Sequence, residues 1–221
     1  MRVVLVRHAH SEANASGLLS GRIPNIHLSN KGVEQAESLA QRIGAVKLNQ
    51  LRISPMERCL ETIQPWLKTF GQGIDPIIDE DLNEVDYGLW SGKKLSSLSK
   101  KKEWRTIQDS PSRMYFPDGE GIAQMQVRAM RSVLSVSKSK MNSISLLVSH
   151  GDVIKAILAS SLGLHLDQFQ RIVIDPASIS IIEYFDMKPR VILLNDSRAT
   201  LTDLLKAPKR VKNLLGGGAG K

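Results

Sequence analysis

The sequence predicts a layered α/β fold built on a mostly parallel β-sheet. Apolar runs of strand length alternate along the chain with longer segments in which apolar residues recur every three or four positions. Two of the runs, residues 2–6 and 144–149, are almost wholly apolar, which is typical of strands that are buried on both faces of a sheet. Because parallel strands need crossover connections, usually helices, this alternation favours an α/β arrangement.

The first half of the chain follows this order. After the strand at residues 2–6, turn residues lead to a helix whose apolar face runs from Val33 to Ile43, with Ser29 or Asn30 as its cap. A short strand at residues 50–53 precedes a second helix, whose apolar face runs from Met56 to Leu67. Pro65 should kink this helix or end it early.

The second half contains an excursion from the sheet and then further strands. Residues 76–79 are a third predicted strand, and residues 80–120 lack clean periodicity apart from a helix near Leu95–Ile107. The remaining predicted elements are a helix at 122–136, a strand at 144–149, a helix at 153–162 and an antiparallel strand pair at 178–184 and 190–194. We expect one domain over residues 1–205, with its excursion at about 80–120, and a flexible basic tail at 206–221.

Composition narrows the function classes. The 221 residues are 42% hydrophobic and 24% charged, which excludes a disordered, collagen-like or disulfide-scaffold protein. The net charge is +8, but Lys206, Lys209, Arg210, Lys212 and Lys221 supply five of these charges and leave +3 for residues 1–205. We therefore expect no nucleic-acid partner.

The compartment is predicted from what the sequence lacks. No apolar run approaches the roughly 20 residues of a membrane span, and no signal-peptide segment follows Met1. Cys59 is the single cysteine and cannot form an internal disulfide. We expect a cytoplasmic protein without membrane contact, and the C-terminal strand pair could support a homodimer.

Two predicted strands end in histidine. Arg7-His8 follows the first strand, His150-Gly151 follows the strand at 144–149, and Arg58 lies one turn into the helix after the strand at 50–53. Ligands of open α/β sheets bind beyond the carboxyl ends of the strands, so these groups could converge on one crevice. Such cations are costly to bury without an anion, and arginine binds phosphate oxygens well. An imidazole there can carry phosphoryl transfer through a phosphohistidine, without a metal or other cofactor.

Five segments, taken together, resemble the signatures of the histidine phosphatase superfamily, also called phosphoglycerate mutase-like. They are RHAHSEAN at 7–14, SPMERCLET at 54–62, LNEVDYGLWSG at 82–92, PDGEG at 117–121 and SHGDVIKAIL at 149–158. They occur in the family's order. Within the family, the chain most resembles an actinobacterial branch of phosphomutases and GpmB-like phosphatases. The resemblance implies a three-layer α/β/α fold, with helices on both faces of the sheet.

The resemblance also implies roles for individual residues. His8 would be the phosphorylated nucleophile, and Glu84, with Asp86 as second choice, would give a proton to the leaving oxygen. The phosphate pocket and the remaining substrate contacts would come from Arg7, Ser11, Asn14, Gly21, Arg58, His150 and Gly151. Glu120 is expected to be a favourable anion at a helix N-terminus rather than a supporting residue of the pocket.

The sequence therefore predicts a metal-independent phosphomonoesterase that acts on a small phosphorylated metabolite. A phosphoglycerate mutase-type phosphomutase, an isomerase, is the alternative. A mutase needs additional cations and a longer covering insertion, whereas the segment 93–116 is of modest length. Two remoter alternatives are a metal-dependent hydrolase, in which His8 and His10 begin a ligand set, and a non-catalytic phosphate-binding module.

Overall fold

Six strands form a single mixed sheet in the computed structural model, which describes residues 1–138 and 142–206. The strands are β1 Arg2–Arg7, β2 Gln50–Ile53, β3 Ile77–Ile78, β4 Ile144–Ser149, β5 Ile179–Phe185 and β6 Lys188–Asp196. Their order across the sheet is β3-β2-β4-β1-β5-β6. The first four are mutually parallel, while β5 pairs antiparallel with both β1 and β6. The predicted mostly parallel sheet is confirmed, as is the antiparallel pair near its end.

Eight α-helices connect or flank the strands in the described residues. They are α1 Glu12–Ser16, α2 Asn30–Ile43, α3 Glu57–Thr69, α4 Leu95–Leu98, α5 Lys102–Asp109, α6 Ile122–Ser137, α7 Gly151–Ser161 and α8 Leu201–Leu205. Short 3-10 turns occur at Glu80–Leu82, Gly88–Trp90, Pro111–Arg113 and Leu166–Arg171. No helix in the described ranges is both long and apolar enough to cross a membrane.

Helices cover both faces of the sheet because successive strand residues point to opposite sides. In β1, Val3 and Leu5 pack into one core with α6, α7 and the segment that follows β3. Val4 and Val6 pack into a second core with α2, α3 and α8. The buried strand therefore serves two cores at once, and the three-layer arrangement is confirmed.

Three expectations about the elements need correction. Pro65 was expected to kink α3 or to end it early, and an early end is wrong, since α3 continues to Thr69. The proline removes a single backbone donor, and the turn after it is held by Trp66, which is buried and donates from Nε1 to the carbonyl of Gly44 over 2.8 Å. The single helix predicted near Leu95–Ile107 is instead the pair α4 and α5. Val33 is exposed on α2, so its expected place on the buried face was wrong.

The predicted excursion contributes no strand to the sheet. Its 3-10 turns and short helices cover the face that also carries α6 and α7, through buried residues such as Leu82, Trp90 and Phe116. The predicted flexible tail begins at Lys206, the last described residue. Residues 207–221 lie outside the described residues.

The segment after β1 packs closely against the N-terminus of α2. Ser29, the N-cap of α2, donates from its backbone and its hydroxyl to the carbonyl of His10, at 3.0 and 3.1 Å. A Cβ atom on Gly32 would overlap that same carbonyl oxygen. Glycine is therefore needed here for close approach of two backbone segments.

Replacement of this glycine tests the contact. In most helices, Gly→Ala raises stability by about 1 kcal/mol. We expect Gly32→Ala to lower the free energy of unfolding by about 1–3 kcal/mol instead, because the added methyl forces the two segments apart. Urea denaturation measures this change. Ser38→Ala, at an exposed position of the same helix, is the control and should not destabilise. A stabilised Gly32→Ala protein would contradict the close approach.

Candidate active site

The two histidines predicted at strand ends meet at one edge of the sheet. Strands β1 and β4 are parallel neighbours, and Arg7 pairs with Ser149 in their register. The next residues, His8 and His150, therefore lie side by side, with the backbone N–H of His8 donating to the carbonyl of Ser149 over 2.9 Å. Their ring centroids are 5.2 Å apart, in an edge-to-face arrangement. The predicted convergence of these residues is observed.

The ring of His8 is held in one tautomer. Its Nδ1 lies 2.7 Å from the carbonyl oxygen of Ala9, which can only accept, so Nδ1 carries the proton. Nε2 is then left with its lone pair. Burial lowers the pKa of His8 well below its usual value, and the positive charges of Arg58 and Arg7 lower it further. His8 is thus a neutral imidazole with one nitrogen available as a nucleophile.

The backbone around His8 is fixed from two sides. The N–H of Ala9 donates to Oγ1 of Thr62 over 2.8 Å, and that hydroxyl donates in turn to the carbonyl of Arg58 over 2.6 Å. On the other side, the N–H of Ala177 lies 3.2 and 3.3 Å from the carbonyl oxygens of Arg7 and His8. These bonds tie the end of β1 to α3 and to the start of β5.

Two arginines at this edge have guanidinium nitrogens without protein partners. Arg58 is fully buried, and its Nη2 donates to the carbonyl of Gly21 over 2.8 Å, while Nε and Nη1 have no partner. Arg7 donates from Nη1 to the carbonyl of Ile174 over 2.6 Å, and its buried Nε has no partner. Unpaired buried donors are costly, and two adjacent guanidinium groups add charge repulsion. An anion with several oxygens, such as a phosphoryl group, would satisfy both.

His150 contacts both Arg58 and Ser54. Nη2 of Arg58 lies 3.2 Å from Nδ1 of His150, which must accept because a guanidinium only donates. Nε2 then carries the proton and donates to Oγ of Ser54 over 2.7 Å. Burial, followed by the charge of Arg58, lowers the pKa of His150 well below its usual value. His150 is therefore neutral in this arrangement.

The N-terminus of α7 adds to the positive potential. Gly151 is the first residue of this helix and lines the cavity in front of His8. A Cβ atom on Gly151 would lie 3.3 Å from Cζ and Nε of Arg7, tighter than most such contacts. The absence of a side chain lets the guanidinium lie against the helix terminus, where anions bind favourably.

Glu84 brings a carboxyl group to this cluster. It is 9% exposed, and its Oε2 lies 3.7 Å from Nδ1 of His150. Its Oε1 accepts from the N–H of Val85 over 2.9 Å. Burial, and then the carboxylate of Asp152, raise the pKa of Glu84 to about 7, against the opposing charge of Arg58. Near neutral pH this group can therefore both give and take a proton.

Two arginine side chains hold the backbone of Glu84. Nη2 of Arg128 donates to its carbonyl over 3.0 Å, and Nε of Arg22 donates to it over 2.8 Å. Both arginines also donate to the carboxylate of Glu120, which accepts from the N–H of Asp86 as well. The expectation that Glu120 acts at a helix N-terminus was wrong, because its carboxylate forms ion pairs with these two arginines.

Arg128 and Arg22 were not predicted as functional residues. For Arg128 a signal existed, since the residue lies on the face of the helix that Met125, Ala129 and Val133 bury. A charged residue on an apolar helix face needs internal partners, and here they are Glu120 and the carbonyls of Asp81, Asn83 and Glu84. Arg22 lies in a loop, where no comparable sequence pattern exists.

A cavity of about 410 Å³ opens in front of His8. It is lined by Arg7, His8, Asn14, Leu18, Leu19, Ser20, Gly21, Glu84, Tyr87, Leu95, Gly151, Asp152, Lys155, Gln170, Ile172, Val173, Ile174 and Asp175. Two other predicted site residues, Arg58 and His150, are fully buried and do not line the cavity; they contact each other.

Ser11 and Asp86 have local structural roles. Ser11 is buried and is the N-cap of α1, where it forms a capping box with Asn14. In that box, Oδ1 of Asn14 accepts from the backbone N–H and the hydroxyl of Ser11, and Oγ of Ser11 accepts from the backbone N–H of Asn14. Asp86 accepts from the N–H of Gly88 over 3.0 Å, which closes a turn. Neither Ser11 nor Asp86 lines the cavity, so Glu84 remains the first choice over Asp86.

His10 is separated from His8 despite their spacing in sequence. Its Nδ1 lies 2.8 Å from Oγ of Ser29, on the side of α2. Within residues 1–138 and 142–206, no three His, Cys, Asp or Glu side chains are grouped closely enough to hold a metal ion. The ligand set that began with His8 and His10 in the sequence is not assembled by the fold.

Comparison with known proteins gives one family. Residues 3–197 match the family described as the histidine phosphatase superfamily, branch 1. Phosphoserine phosphatase 1 of Hydrogenobacter thermophilus is 28% identical over 197 residues, which cover 88% of this chain and 92% of that protein. The protein named probable phosphoglycerate mutase GpmB of Enterobacter sp. is 30% identical over 186 residues, with 83% and 85% covered.

Solved structures share the fold. The α-ribazole phosphatase of Shigella flexneri superposes with a TM-score of 0.80 at 24% identity, over 91% of this chain and 99% of that one. At this identity the likeness concerns the fold alone. The six-stranded sheet and its two helical layers are thus a known architecture.

The titration of Glu84 can be measured directly. We expect its carboxyl carbon to titrate near pH 7 in ¹³C NMR, with the signal assigned by its loss in Glu84→Gln. In Asp152→Asn the pKa should move down, because a negative charge that favours the protonated form is removed and Lys155 loses its ion-pair partner. Asp109→Asn, at an exposed ion pair, is the control and should leave the titration in place. An unchanged or higher pKa in Asp152→Asn would show that Asp152 does not raise it.

Proposed function

The chain belongs to branch 1 of the histidine phosphatase superfamily, and from this premise we propose that it hydrolyses phosphate monoesters of small metabolites through a phosphohistidine on His8. The observation that carries the proposal is the pairing of a neutral His8, whose Nε2 is unprotonated, with unpartnered buried donors of Arg7 and Arg58. His8 and Arg7 line the same cavity, and the buried Arg58 adjoins it through its hydrogen bond to the carbonyl of Gly21.

In the first step, Nε2 of His8 attacks phosphorus in line with the ester oxygen. The P–O bond breaks, and the leaving alkoxide takes the proton of Glu84. Arg7, Arg58 and the N-terminus of α7 stabilise the charge on the phosphoryl oxygens. The bond from Nδ1 of His8 to the carbonyl of Ala9 keeps the ring oriented while positive charge develops on it.

In the second step, the phosphoryl group passes to water. The Glu84 carboxylate takes a proton from the water as its oxygen attacks phosphorus, and the P–N bond breaks. Phosphate leaves, and both His8 and Glu84 return to their starting protonation states. A pKa near 7 suits Glu84 to this double role as acid and then base.

The cavity supports a phosphatase over a phosphomutase. A mutase must hold and rebind a second anionic group, whereas Arg7 and Lys155 are the only cationic side chains among the lining residues. Arg7 faces the phosphoryl position, and Lys155 is already paired with Asp152 over 3.2 Å. Relatives carry both kinds of name, phosphoserine phosphatase and phosphoglycerate mutase, so the two activities have to be separated by experiment.

The covalent intermediate gives the first test. After brief incubation with a ³²P-labelled monoester in the presence of chelator, we expect acid-labile label on the wild-type protein and none on His8→Ala. Steady-state hydrolysis should fall by at least about 10³-fold in His8→Ala. His10→Ala is the matched control and should keep both label and activity. Activity that depends on an added metal ion, or label that survives in His8→Ala, would overturn the proposal.

Glu84→Gln separates the two steps. With an alkyl phosphate, which needs a proton on its leaving oxygen, we expect a loss of about 10²–10⁴-fold in kcat. With p-nitrophenyl phosphate, whose leaving group needs little protonation, we expect a burst of one nitrophenolate per site and then slow turnover, because the base for the second step is missing. Stopped-flow absorbance measures the burst. Equal losses with both esters and no burst would remove Glu84 from this role.

Phosphatase and mutase are distinguished by product. With 3-phosphoglycerate, we expect any turnover to release inorganic phosphate and to form no 2-phosphoglycerate. ³¹P NMR follows both products in one sample. Formation of 2-phosphoglycerate without net release of phosphate would make the chain a mutase.

A further inference from the structure

The guanidinium of Arg7 is oriented by one carbonyl group of the segment that precedes β5. Its Nη1 donates to the carbonyl oxygen of Ile174, a buried residue, over 2.6 Å. The N–H of the same peptide group belongs to Asp175 and donates to Oδ1 of Asn195 over 2.6 Å. A peptide group is planar, and hydrogen bonds on both of its sides fix its orientation and polarise one another. Asn195 and Arg7 are therefore linked through a single peptide group.

The side chain of Asn195 is itself held in place. Its Nδ2 donates to Oδ2 of Asp175 over 2.9 Å, so two hydrogen bonds join these two residues. The backbone N–H of Asn195 donates to Oγ of Ser180, which is buried, over 3.0 Å. These bonds hold the amide of Asn195 against the peptide group that orients Arg7.

An irregularity in the β5–β6 ladder lies at this residue. The register shifts between Ile179 and Ile181, so that one residue of β5 lies opposite two residues of β6, Leu194 and Asn195. Asn195 has a φ of 57°, in the left-handed region, which asparagine tolerates better than most residues. Bulges of this kind change the direction of a side chain and recur next to active sites. Here the bulge contains the residue that contacts Asp175.

From these contacts we infer that Asn195 is a positioning residue for Arg7 and acts through the peptide group between Ile174 and Asp175. The inference rests on the proposed function, in which Arg7 binds the phosphoryl group. Across the part of the chain that the structure describes, the bond to Ile174 is the one hydrogen bond that the guanidinium of Arg7 forms. Without Asn195 this carbonyl would be less firmly held, and so would the guanidinium that it aims at the phosphoryl position.

Removal of the Asn195 side chain tests the link. Asn195→Gly loses both bonds to Asp175, while glycine adopts a positive φ at no steric cost. We expect the dissociation constant of inorganic phosphate, measured by isothermal titration calorimetry in the presence of chelator, to rise by at least about fivefold. Unchanged phosphate affinity in this variant would overturn the inference.

Asn142→Gly is the matched control. Asn142 also has a positive φ, of 67°, but it precedes β4 and so lies at the opposite end of the parallel strands from Arg7. Its replacement should leave phosphate affinity unchanged. A loss equal to that of Asn195→Gly would show that the effect is not specific to Asn195 and would also overturn the inference.

An exchange of the two side chains tests the contact itself. In Asn195→Asp, two carboxylates face each other and the amide donor is lost, so phosphate affinity should fall. Asp175→Asn, added to Asn195→Asp, restores one amide and one carboxylate, and an oxygen at position 195 can still accept from the N–H of residue 175. We expect this double variant to recover most of the lost affinity. The absence of any recovery would count against the contact as the cause.

A double-mutant cycle with Arg7→Met distinguishes positioning from a general loss of structure. We expect Asn195→Gly to lower kcat/KM for p-nitrophenyl phosphate by at least about fivefold when Arg7 is present, and by less than about twofold when Arg7→Met has already removed the guanidinium. A merely structural role would give the same factor in both backgrounds, and that result would overturn the inference.

The outcomes separate this inference from the proposed function. Phosphate binding needs no turnover, so the affinities of the Asn195 variants test the link to Arg7 whether or not an ester is hydrolysed. If no ester is hydrolysed and no label forms on His8, the proposed function fails. If the wild type forms the phosphohistidine and Asn195→Gly keeps full phosphate affinity, the phosphatase stands and the positioning role fails.

Discussion

The parallel pairing of β1 with β4 is the constraint on which the site depends. A parallel ladder brings the carboxyl ends of two strands that are distant in sequence to the same edge, and the register of Arg7 with Ser149 sets His8 beside His150. A shift of one residue would turn every side chain of β1 to the opposite face of the sheet and disrupt both cores. The packing that stabilises the sheet therefore also places His8 beside His150.

The second constraint is electrostatic. Arg7 and Arg58 lie beside two neutral imidazoles, and three of their guanidinium nitrogens have no protein partner. This arrangement costs stability in the free protein, because buried donors are left unsatisfied and like charges are close. An anion with several oxygens would accept hydrogen bonds from these nitrogens and offset the charge repulsion, so its binding is favourable. The low pKa values of His8 and His150 follow from this environment, as does the readiness of His8 to act as a nucleophile.

Glu84 depends on a different part of the chain. It lies in the excursion that follows β3, which has little regular structure of its own, and its backbone is held by Arg128 from α6 and Arg22 from a loop. Glu120 joins the two arginines into one network. A carboxyl group on an irregular segment thus gains a fixed position through partly buried ion pairs, and burial beside Asp152 raises its pKa.

The sequence by itself determined the strands at 2–6, 50–53 and 144–149, the α/β layering, and the convergence of His8, Arg58 and His150. These follow from local periodicity and from the general geometry of parallel sheets. It did not determine that α3 continues past Pro65, that Ser11 is engaged in capping α1, or that Glu120 neutralises Arg128 and Arg22. Those outcomes depend on contacts between residues far apart in the chain, such as Arg128 with Asp81 and Trp66 with Gly44. Only the tertiary structure decided them, because the burial of a side chain and the partners left for its polar atoms are properties of the packed molecule.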